Sequence, residues 1–488
     1  MKKQIVLSAL AVCLTVSPAW SKEKTAKKPP AEEKKAAAQQ PESAPAAETT
    51  PPAAPAAAAP AEVNAKTLDL ANAQRMALQG NPGIGAAQAR IEQAKAKIQQ
   101  VIATQRPALD AIANVGVQGQ KDADELGKNS TIGLQGSWLL FDGYARKFQQ
   151  EQAEYGEKSS VEAKRNSQRL LAAAVADAFF NAQLAKASLD IATADQEFYE
   201  QQLKDAQHRF EAGTGSWGDV LNIKVQVNTA KNNVISARRQ HEAARYGLAA
   251  LLGLEDAALP ELAELEKNFS PSDESLTADT EAMIREALKT RPDLKRLTLQ
   301  VKAAAAGVNM AEAQNAPKVR LTGQAGALSQ KELLPESGDL NAALSLGLSW
   351  NLYSGGAVEA AAAEARQAKR EAAYGYADLR NSIAAEIRQG ATLLAAAGRQ
   401  VRLQQESVEL VKENRKLAQS QYEAGAASLT TLNEAQRDLT ATHGRLAQAI
   451  VAYCQAQHQL LAATGKNLEP FKDLLAAEVK ELKLPEGK

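Results

Sequence analysis

The fold is decided by a short stretch that occurs twice in the chain. Residues 132–143 read IGLQGSWLLFDG, and residues 344–355 read LSLGLSWNLYSG. In both, apolar side chains alternate with small or polar ones up to a tryptophan, and an aromatic residue and a glycine follow. A period of two is typical of a β-strand with one apolar and one polar face. Each stretch therefore predicts a strand that ends in a change of chain direction.

The two stretches belong to one long internal repeat. Trp138 and Trp350 are 212 positions apart. Two proline pairs, each 25 residues apart, recur at an offset of 210, and two glycine pairs recur at 212. Collinear matches with a single two-residue shift predict two copies of one structural unit. The matching residues are Pro82 and Pro292, Pro107 and Pro317, Gly213 and Gly425, and Gly253 and Gly465.

Each copy predicts the same order of elements. After Pro82, isoleucines recur every seven residues, which indicates a helix with a coiled-coil seam. A β-hairpin follows at 108–141 in the first copy and at 318–352 in the second. Proline-free stretches then run from Tyr144 to Glu211 and from Gly356 to Glu423. At 1.5 Å per residue, each would form a helix about 100 Å long, and a shorter helix would complete the copy.

The strands admit two interpretations. One is an antiparallel sheet in a soluble protein, with its apolar face on a core. The other is an outer-membrane barrel with apolar side chains outward and polar side chains around a wet lumen. The second is favoured because helices of about 100 Å are too long to fold back over so short a sheet. Four strands are too few for a barrel, so several chains would have to share one.

Composition excludes several classes of function. Aromatic residues make up only 4% of the chain, which disfavours a compact aromatic-rich enzyme. The 57 basic and 57 acidic residues cancel, so the chain lacks the net positive charge that favours nucleic-acid binding. The sequence contains no phosphate-binding loop, zinc-protease helix or nucleophile elbow, and its four histidines have no metal-ligand spacing. We therefore expect neither enzyme activity nor a cofactor or bound metal.

The first residues predict export. Lys2 and Lys3 precede an apolar run that ends at the small-residue site Ala19-Trp20-Ser21, as in a cleaved signal peptide. Cys13 suggests lipidation, but Val12 stands where a lipobox has a small residue, so this is disfavoured. The predicted segments are a signal peptide at 1–21, a disordered proline- and alanine-rich tether at 22–64, the first repeat at 65–253, a linker at 254–279, the second repeat at 280–465 and a tail at 466–488.

The chain resembles the TolC family of outer-membrane efflux and secretion channels. The resemblance rests on the duplicated plan, the Asn81-Pro82 and Arg291-Pro292 helix starts, the two Trp-x-Leu-aromatic-x-Gly junctions and the aromatic-x-x-Gly turns. It implies an α+β membrane protein that forms a homotrimer. A twelve-stranded outer-membrane β-barrel, with four strands per chain, would continue as a long α-helical coiled-coil barrel through the periplasm. The linker and the tail would form an equatorial belt.

The function implied by this resemblance is a passive exit duct of a tripartite efflux or type I secretion system. Such a duct would dock onto a periplasmic adaptor (membrane fusion) protein and an inner-membrane pump. It would carry small toxic compounds or polypeptides to the exterior and consume no energy. A periplasmic adaptor or a structural coiled-coil protein is the alternative. An adaptor would show one helical hairpin flanked by soluble β-domains rather than two similar copies.

The turns between the long helical stretches are predicted to be hairpin tips. Gly213 and Gly425 suit the left-handed conformation that commonly ends a helix. Ser216 and Ser428 are good N-caps for the next helix. The resemblance implies that these tips form the periplasmic mouth of the channel.

The resemblance also suggests gate residues at these tips. Asp219 and Glu434 fall where the family has gate carboxylates, and Thr431 occupies a further acid position. For Asp219 an equal alternative is a capping box with Ser216, in which the acid stabilises the helix start. For Glu434 the alternative is an ordinary solvated helix face.

Four aromatic residues are candidates for the periplasmic membrane interface. Trp138 and Phe141 follow the strand of the first copy, and Trp350 and Tyr353 occupy the same places in the second. Aromatic side chains form girdles at both edges of outer-membrane barrels. Packing of the junction between strand and helix is the alternative role, and the two roles are compatible.

Overall fold

A computed structural model describes residues 67–118, 127–255, 258–265, 269, 271, 279–329 and 340–481. The predicted signal peptide and tether, Cys13, most of both predicted hairpin loops and half of the predicted linker lie outside these residues. The described chain is mostly helical and contains the predicted two-fold repeat.

The helices follow the same order in both copies. The first copy contains α1 (Leu70–Gly80), α2 (Pro82–Ala103), α3 (Ala145–Glu211) and α4 (Trp217–Leu252). The second contains α5 (Thr280–Thr290), α6 (Pro292–Glu312), α7 (Ala357–Glu423) and α8 (Leu429–Thr464), and α9 (Lys472–Glu481) follows. The two long helices, α3 and α7, have 67 residues each and begin one residue after the predicted start.

Local chemistry explains the helix ends. Pro82 and Pro292 occupy the first helical position, where a missing N–H costs nothing. Gly253 and Gly465 end α4 and α8 at φ 76° and 77°, which a residue with a Cβ rarely adopts. Among the described residues, none of the helices is both long enough and apolar enough to cross a membrane.

Four long strands form one antiparallel sheet. They are β2 (Ala108–Gln118), β3 (Gly127–Phe141), β5 (Lys318–Ser329) and β6 (Leu340–Ser349), in the order β2-β3-β5-β6. The two hairpins are thus joined edge to edge by β3 and β5. The last strand ends at Ser349, three residues before the predicted end of the hairpin at Leu352. A separate two-residue parallel pair joins β1 (Thr67–Leu68) to β4 (Glu261–Leu262).

The helices repeat the lateral order of the strands. The central helix α3 packs against α2 and α4, and it also packs against α6 and α8, which in turn contact α7. The strand β2 follows α2, β3 precedes α3, β5 follows α6 and β6 precedes α7. Sheet and helices therefore form one layer that is four elements wide. Each strand lies at the same lateral position as the helix that adjoins it in the sequence.

The helical layer has one large apolar core and two smaller ones near the hairpin tips. The larger core is centred on the middle of the long helices and includes Phe179, Leu248, Ile383 and Tyr453. A smaller core near the hairpin tips includes Tyr199, Ile223 and Val227 of the first copy and Leu429 of the second. Alanine supplies many of the remaining buried positions, as expected for closely spaced helices.

Candidate functional site

The apolar face of the sheet is exposed. Leu109, Leu344 and Leu346 are 71%, 78% and 67% exposed, and every residue of β6 is exposed. The face carries leucine and isoleucine at alternate positions, as the sequence predicts. An apolar surface of this kind marks a site for a partner or a membrane.

The polar face of the sheet contains two glycines that face each other. Gly133 of β3 pairs with Gly326 of β5. Two residues further along the same face, Gln135 pairs with Gln324. A Cβ on Gly133 would lie 2.6 Å from the carbonyl oxygen of Ala325, and one on Gly326 would lie 2.3 Å from that of Ile132. Only glycine permits the two backbones to approach so closely.

Among the described residues, no strand pairs with either lateral edge of the sheet. The edges are β2 and β6, whose outer backbone N–H and C=O groups are free to pair with another strand. The same two ends of the layer carry α2 and α4 on one side and α7 on the other.

The free side of α7 carries an apolar stripe. Leu403, Leu410 and Leu417 recur every seven residues and are 60%, 68% and 57% exposed. Val401 and Val408, on the opposite side of the helix, are buried. On the other edge of the layer, α4 exposes Leu221, Val225 and Ile235. A seven-residue apolar repeat is the pattern of a coiled-coil seam.

The two predicted interface tryptophans hold the junctions between sheet and helices. The Trp138 indole donates a hydrogen bond to the Gln105 carbonyl oxygen at 2.9 Å, and Trp350 donates to Asn315 at 3.0 Å. Both rings are partly exposed. The bonds pin the end of α2 to β3 and the end of α6 to the segment after β6. The contacts are those of junction packing and leave the rings accessible.

The other two aromatic candidates, Phe141 and Tyr353, are also exposed. The sequence analysis did not include a further aromatic residue at this junction, Tyr144. Tyr353 is 87% exposed, and Phe141 stacks edge-on against Tyr144, with ring centroids 5.7 Å apart. Tyr144 has φ 69°, a left-handed conformation that Gly356 adopts at the same place in the second copy. The sequence signal for this residue was the alignment of the two copies, in which the bulky Tyr144 stands opposite Gly356.

Both hairpin tips have the predicted turn geometry. Gly213 and Gly425 adopt φ 74° and 75°. The Ser216 hydroxyl oxygen accepts a hydrogen bond from the Gly218 N–H at 3.1 Å, and Ser428 accepts one from the Thr431 N–H at 3.3 Å. Each serine therefore caps the helix that follows it.

The three gate candidates lie close to the tips in different environments. Asp219 is half-buried in the first turn of α4, and Thr431 occupies the matching place in α8, with its hydroxyl 3.1 Å from that of Ser428. Glu434 is exposed, one turn further along α8. Thr431 is therefore engaged in the helix cap, whereas Glu434 is open to solvent.

The two tips contact each other through Tyr422. The Arg209 guanidinium lies 4.9 Å above the centre of the Tyr422 ring. Burial raises the pKa of the Tyr422 hydroxyl, the charge of Arg209 opposes this shift, and the charge of Asp219 adds to it. The tip of the first copy thus brings one cation and one carboxylate to the tip of the second.

A buried ion cluster that sequence reasoning missed joins four helices at the start of α6. The Arg291 guanidinium binds both carboxylate oxygens of Asp293, at 2.7 and 3.1 Å, and also contacts Glu386 of α7 at 2.6 Å. Arg291 and Arg169 donate to the carbonyl oxygens of Ala463 and Ala462, the last turn of α8. Burial alone would raise the pKa of Asp293, but the hydrogen bonds and charge of Arg291, with the charge of Arg169, hold it below its usual value.

The first copy has a neutral counterpart of this cluster. Asn81, which precedes Pro82 as Arg291 precedes Pro292, donates its side-chain amide to the Leu251 carbonyl oxygen at 2.9 Å. In the first copy, a single hydrogen bond from Asn81 therefore stands where the second copy has the ion cluster of Arg291. The dipeptides Asn81-Pro82 and Arg291-Pro292 were visible in the sequence, but the contribution of Arg169 from α3 was not.

A cavity of about 850 Å³ lies between α3, α7, α8 and residues 262–265. Its wall includes Arg415, whose guanidinium lies 4.8 Å above the Phe198 ring, and Asp195, which accepts hydrogen bonds from Gln436 and Thr440. Sequence reasoning did not predict this cavity, because its walls come from distant parts of the chain.

These features define a protein with a duplicated layer of strands and helices, in which an apolar sheet face and both lateral edges of the described layer are open. The family model described as outer membrane efflux protein matches residues 73–254 and 283–466. The chain belongs to this family, and its location is the outer membrane. The predicted family resemblance is thereby confirmed.

Two relatives and one solved structure illustrate the family. The solvent efflux pump outer membrane protein SrpC of Pseudomonas putida is 28% identical over 63% of this chain and 64% of its own length. The alkaline protease secretion protein AprF of Pseudomonas aeruginosa is 26% identical over 64% of both chains. The Campylobacter jejuni CmeC outer membrane channel matches with a TM-score of 0.71 at 17% identity, over 83% of this chain and 88% of that one. The chain thus spans slightly less than two thirds of these two relatives, and it shares its fold with the solved channel.

Proposed function

We propose that three copies of the chain form one passive duct through the outer membrane and the periplasm. The observation that carries this proposal is the shared lateral order of strands and helices. Because β2, α2 and α4 lie at one end of the layer and β6 and α7 at the other, a single head-to-tail contact between copies would satisfy every open edge at once. A head-to-tail contact of this kind generates a ring when its rotation closes.

The number of copies follows from the size of the barrel and from the family resemblance. One chain contributes four strands, and about eight is the smallest number found in a membrane barrel. Two copies would only reach that minimum, and a barrel of eight strands is filled by its own side chains. Three copies give twelve strands, the number that the resemblance to the TolC family implies.

The glycines of the polar face support a barrel with a wet interior. Gly133 and Gly326 let the central strands converge on the polar side, so the sheet can curve around that side. Its leucines would then face outward into lipid, as in outer-membrane barrels. A periplasmic adaptor or soluble coiled-coil protein would have no use for this exposed apolar face.

The helices would form the periplasmic part of the duct. A helix of 67 residues is about 100 Å long, so the hairpin tips lie far from the sheet. With the sheet in the outer membrane, the tips would point towards the inner membrane, where a periplasmic adaptor and a pump would dock. Relatives named for efflux and for secretion support both cargo classes, because the pump in such assemblies would select what enters.

Asp219 and Glu434 would line the constriction at the tips. The half-buried position of Asp219 beside Arg209 and Tyr422, and the exposure of Glu434, support this assignment. Three copies of each carboxylate in a narrow ring would attract cations to the mouth of the channel.

Detergent extraction and electrical recording test the proposal together. We expect the exported protein to require detergent, to run at three times the mature chain mass in light scattering, and to form ion channels in planar bilayers. A monodisperse monomer that stays soluble without detergent would contradict the proposed duct.

A further inference from the structure

Two basic side chains stand out on the polar face of the sheet. Lys318 and Arg320 are two residues apart on β5, so they point to the same side, and both are exposed. Within the described part of the chain, neither forms an ion pair or a side-chain hydrogen bond. The residues opposite them on β6 are Ser349 and Gly347. Because Gly347 has no side chain, Arg320 has open space on its β6 side, whereas Leu139 is its neighbour on β3.

The described polar face offers these cations little compensation. Its carboxylate is Asp110 of β2, which pairs with Gln135, and Gln135 pairs with Gln324 of β5. Gln324 lies four residues beyond Arg320, which is about 13 Å along the strand. Asp110 is therefore displaced along the sheet from both cations. The described part of this face has two cations against one carboxylate in each chain.

The position of the pair along the duct is defined by the fold. Lys318 is the first residue of β5 and Arg320 the third, directly after α6 and its last turn. The pair thus lies at the end of the sheet that meets the helices. This neck is at the opposite end of the helical part from Asp219 and Glu434.

We propose that Lys318 and Arg320 form a cationic ring at the neck of the duct, which binds multivalent oxyanions and raises the anion permeability of the barrel. The proposal rests on the proposed function, since three copies of the pair must surround one lumen. Six cations in a space with low-dielectric walls would create a potential of several kT for small ions. The planar guanidinium of Arg320 also matches the oxygen pairs of carboxylate and phosphate groups.

The ring would give the duct two charged sites of opposite sign. Carboxylates at the tips would favour cations, and the neck would favour anions that carry phosphate or carboxylate groups. Salt screens the attraction, because the Debye length falls from about 10 Å at 0.1 M to about 3 Å at 1 M. The effect of the ring should therefore be larger at low ionic strength.

The test is a comparison of channels in planar bilayers at 0.1 M salt. The wild-type trimer is compared with the double variant Lys318→Gln/Arg320→Gln, with Arg320→Lys and with the control Lys472→Gln. Lys472 is an exposed lysine of α9, away from the sheet, so its replacement removes a positive charge without touching the polar face. For the block, inorganic tripolyphosphate is added to the chamber that faces the sheet end of the channel. The reversal potential is measured separately, in a potassium chloride gradient.

We expect tripolyphosphate to block the wild-type channel and the Lys472→Gln control from the sheet side only. The double variant should lose this block, and its permeability ratio of chloride to potassium should fall by about twofold or more. Arg320→Lys should keep the block in part because the charge remains.

Two outcomes separate this inference from the proposed function. If the wild type forms no trimer and no channel, the proposed duct is wrong and the ring fails with it. If wild-type channels form but tripolyphosphate does not block them, or blocks the double variant equally well, the duct stands and the cationic ring is wrong. The second outcome would place the two side chains away from the water path, for example against lipid headgroups.

Discussion

At the scale of single residues, glycines determine how closely the two central strands approach. Gly133 and Gly136 both belong to β3, but their surroundings differ. A Cβ on Gly133 would collide with the backbone of β5, whereas one on Gly136 would find its nearest neighbours 3.9 Å away. A comparison of Gly133 with Gly136 therefore distinguishes a glycine that is needed for close strand approach from one that has room for a side chain.

We predict that Gly133→Ala destabilises the assembled channel and that Gly136→Ala does not. The first substitution forces β3 and β5 apart at a cost of about 1–3 kcal/mol, as in other overpacked sites. The measurement is the temperature at which the detergent-solubilised trimer dissociates on a gel. Equal melting of the two variants would show that the sheet has room for a methyl group at Gly133.

A second prediction at this scale concerns the buried ion cluster. Arg291→Ala leaves Asp293 without its main partner and removes a donor from the end of α8, so it should cost about 3–5 kcal/mol. The matched control, Asn81→Ala, removes one neutral hydrogen bond from the first copy and should cost about 1 kcal/mol. Chemical unfolding followed by circular dichroism compares the two. Similar losses would mean that the charges add nothing to the cap.

The same cluster predicts how stability depends on pH. The pKa of Asp293 is lowered in the folded chain, so its contribution to stability is complete above the unfolded value of about 4. That contribution should be lost as the pH falls through the lower, folded value. We expect Asp293→Asn to be less stable than the wild type at pH 7 and the difference to shrink below about pH 4. A difference that stays constant down to acid pH would contradict the assignment.

At the scale of elements, the exposed stripe on α7 supports a specific contact between copies. We predict that Leu410→Glu weakens the trimer, because it places a charge in the middle of an apolar seam. The control is Gln300→Glu, which adds the same charge to an exposed position of α6, an inner helix of the layer. Light scattering in detergent measures the mass. If both variants remain trimeric, the stripe does not lie between copies.

Elements were also the scale at which the sequence was most informative. The proline-free stretches predicted both long helices to within one residue, because this pattern is local. The pairing of β3 with β5 was not predictable, since alternation fixes which face a residue takes but not which strand lies beside it. The ion cluster was missed for a similar reason: Arg169 and Asp293 lie far apart in the chain and meet only when α3 packs against α6.

At the scale of the whole molecule, the gate carboxylates should control ion selectivity. Replacing Asp219 by Asn and Glu434 by Gln keeps their size but removes six charges from the trimer, so the preference for cations and the block by multivalent cations should both weaken. Bilayer recordings measure both quantities, and the mass of the trimer serves as the folding control. Selectivity equal to that of the wild type would leave Asp219 as a helix cap and Glu434 as a surface residue, without affecting the duct.

The shared lateral order of strands and helices also determines how one substitution is distributed around a ring of copies. Because both halves are encoded in one polypeptide, each first half in a closed ring is flanked by second halves, and the number of halves is always even. In the proposed ring, a single substitution would consequently alter alternate positions around the pore rather than all of them. The two halves already differ at such paired positions, with Asn81 in one and Arg291 in the other, and Asp219 in one and Thr431 in the other.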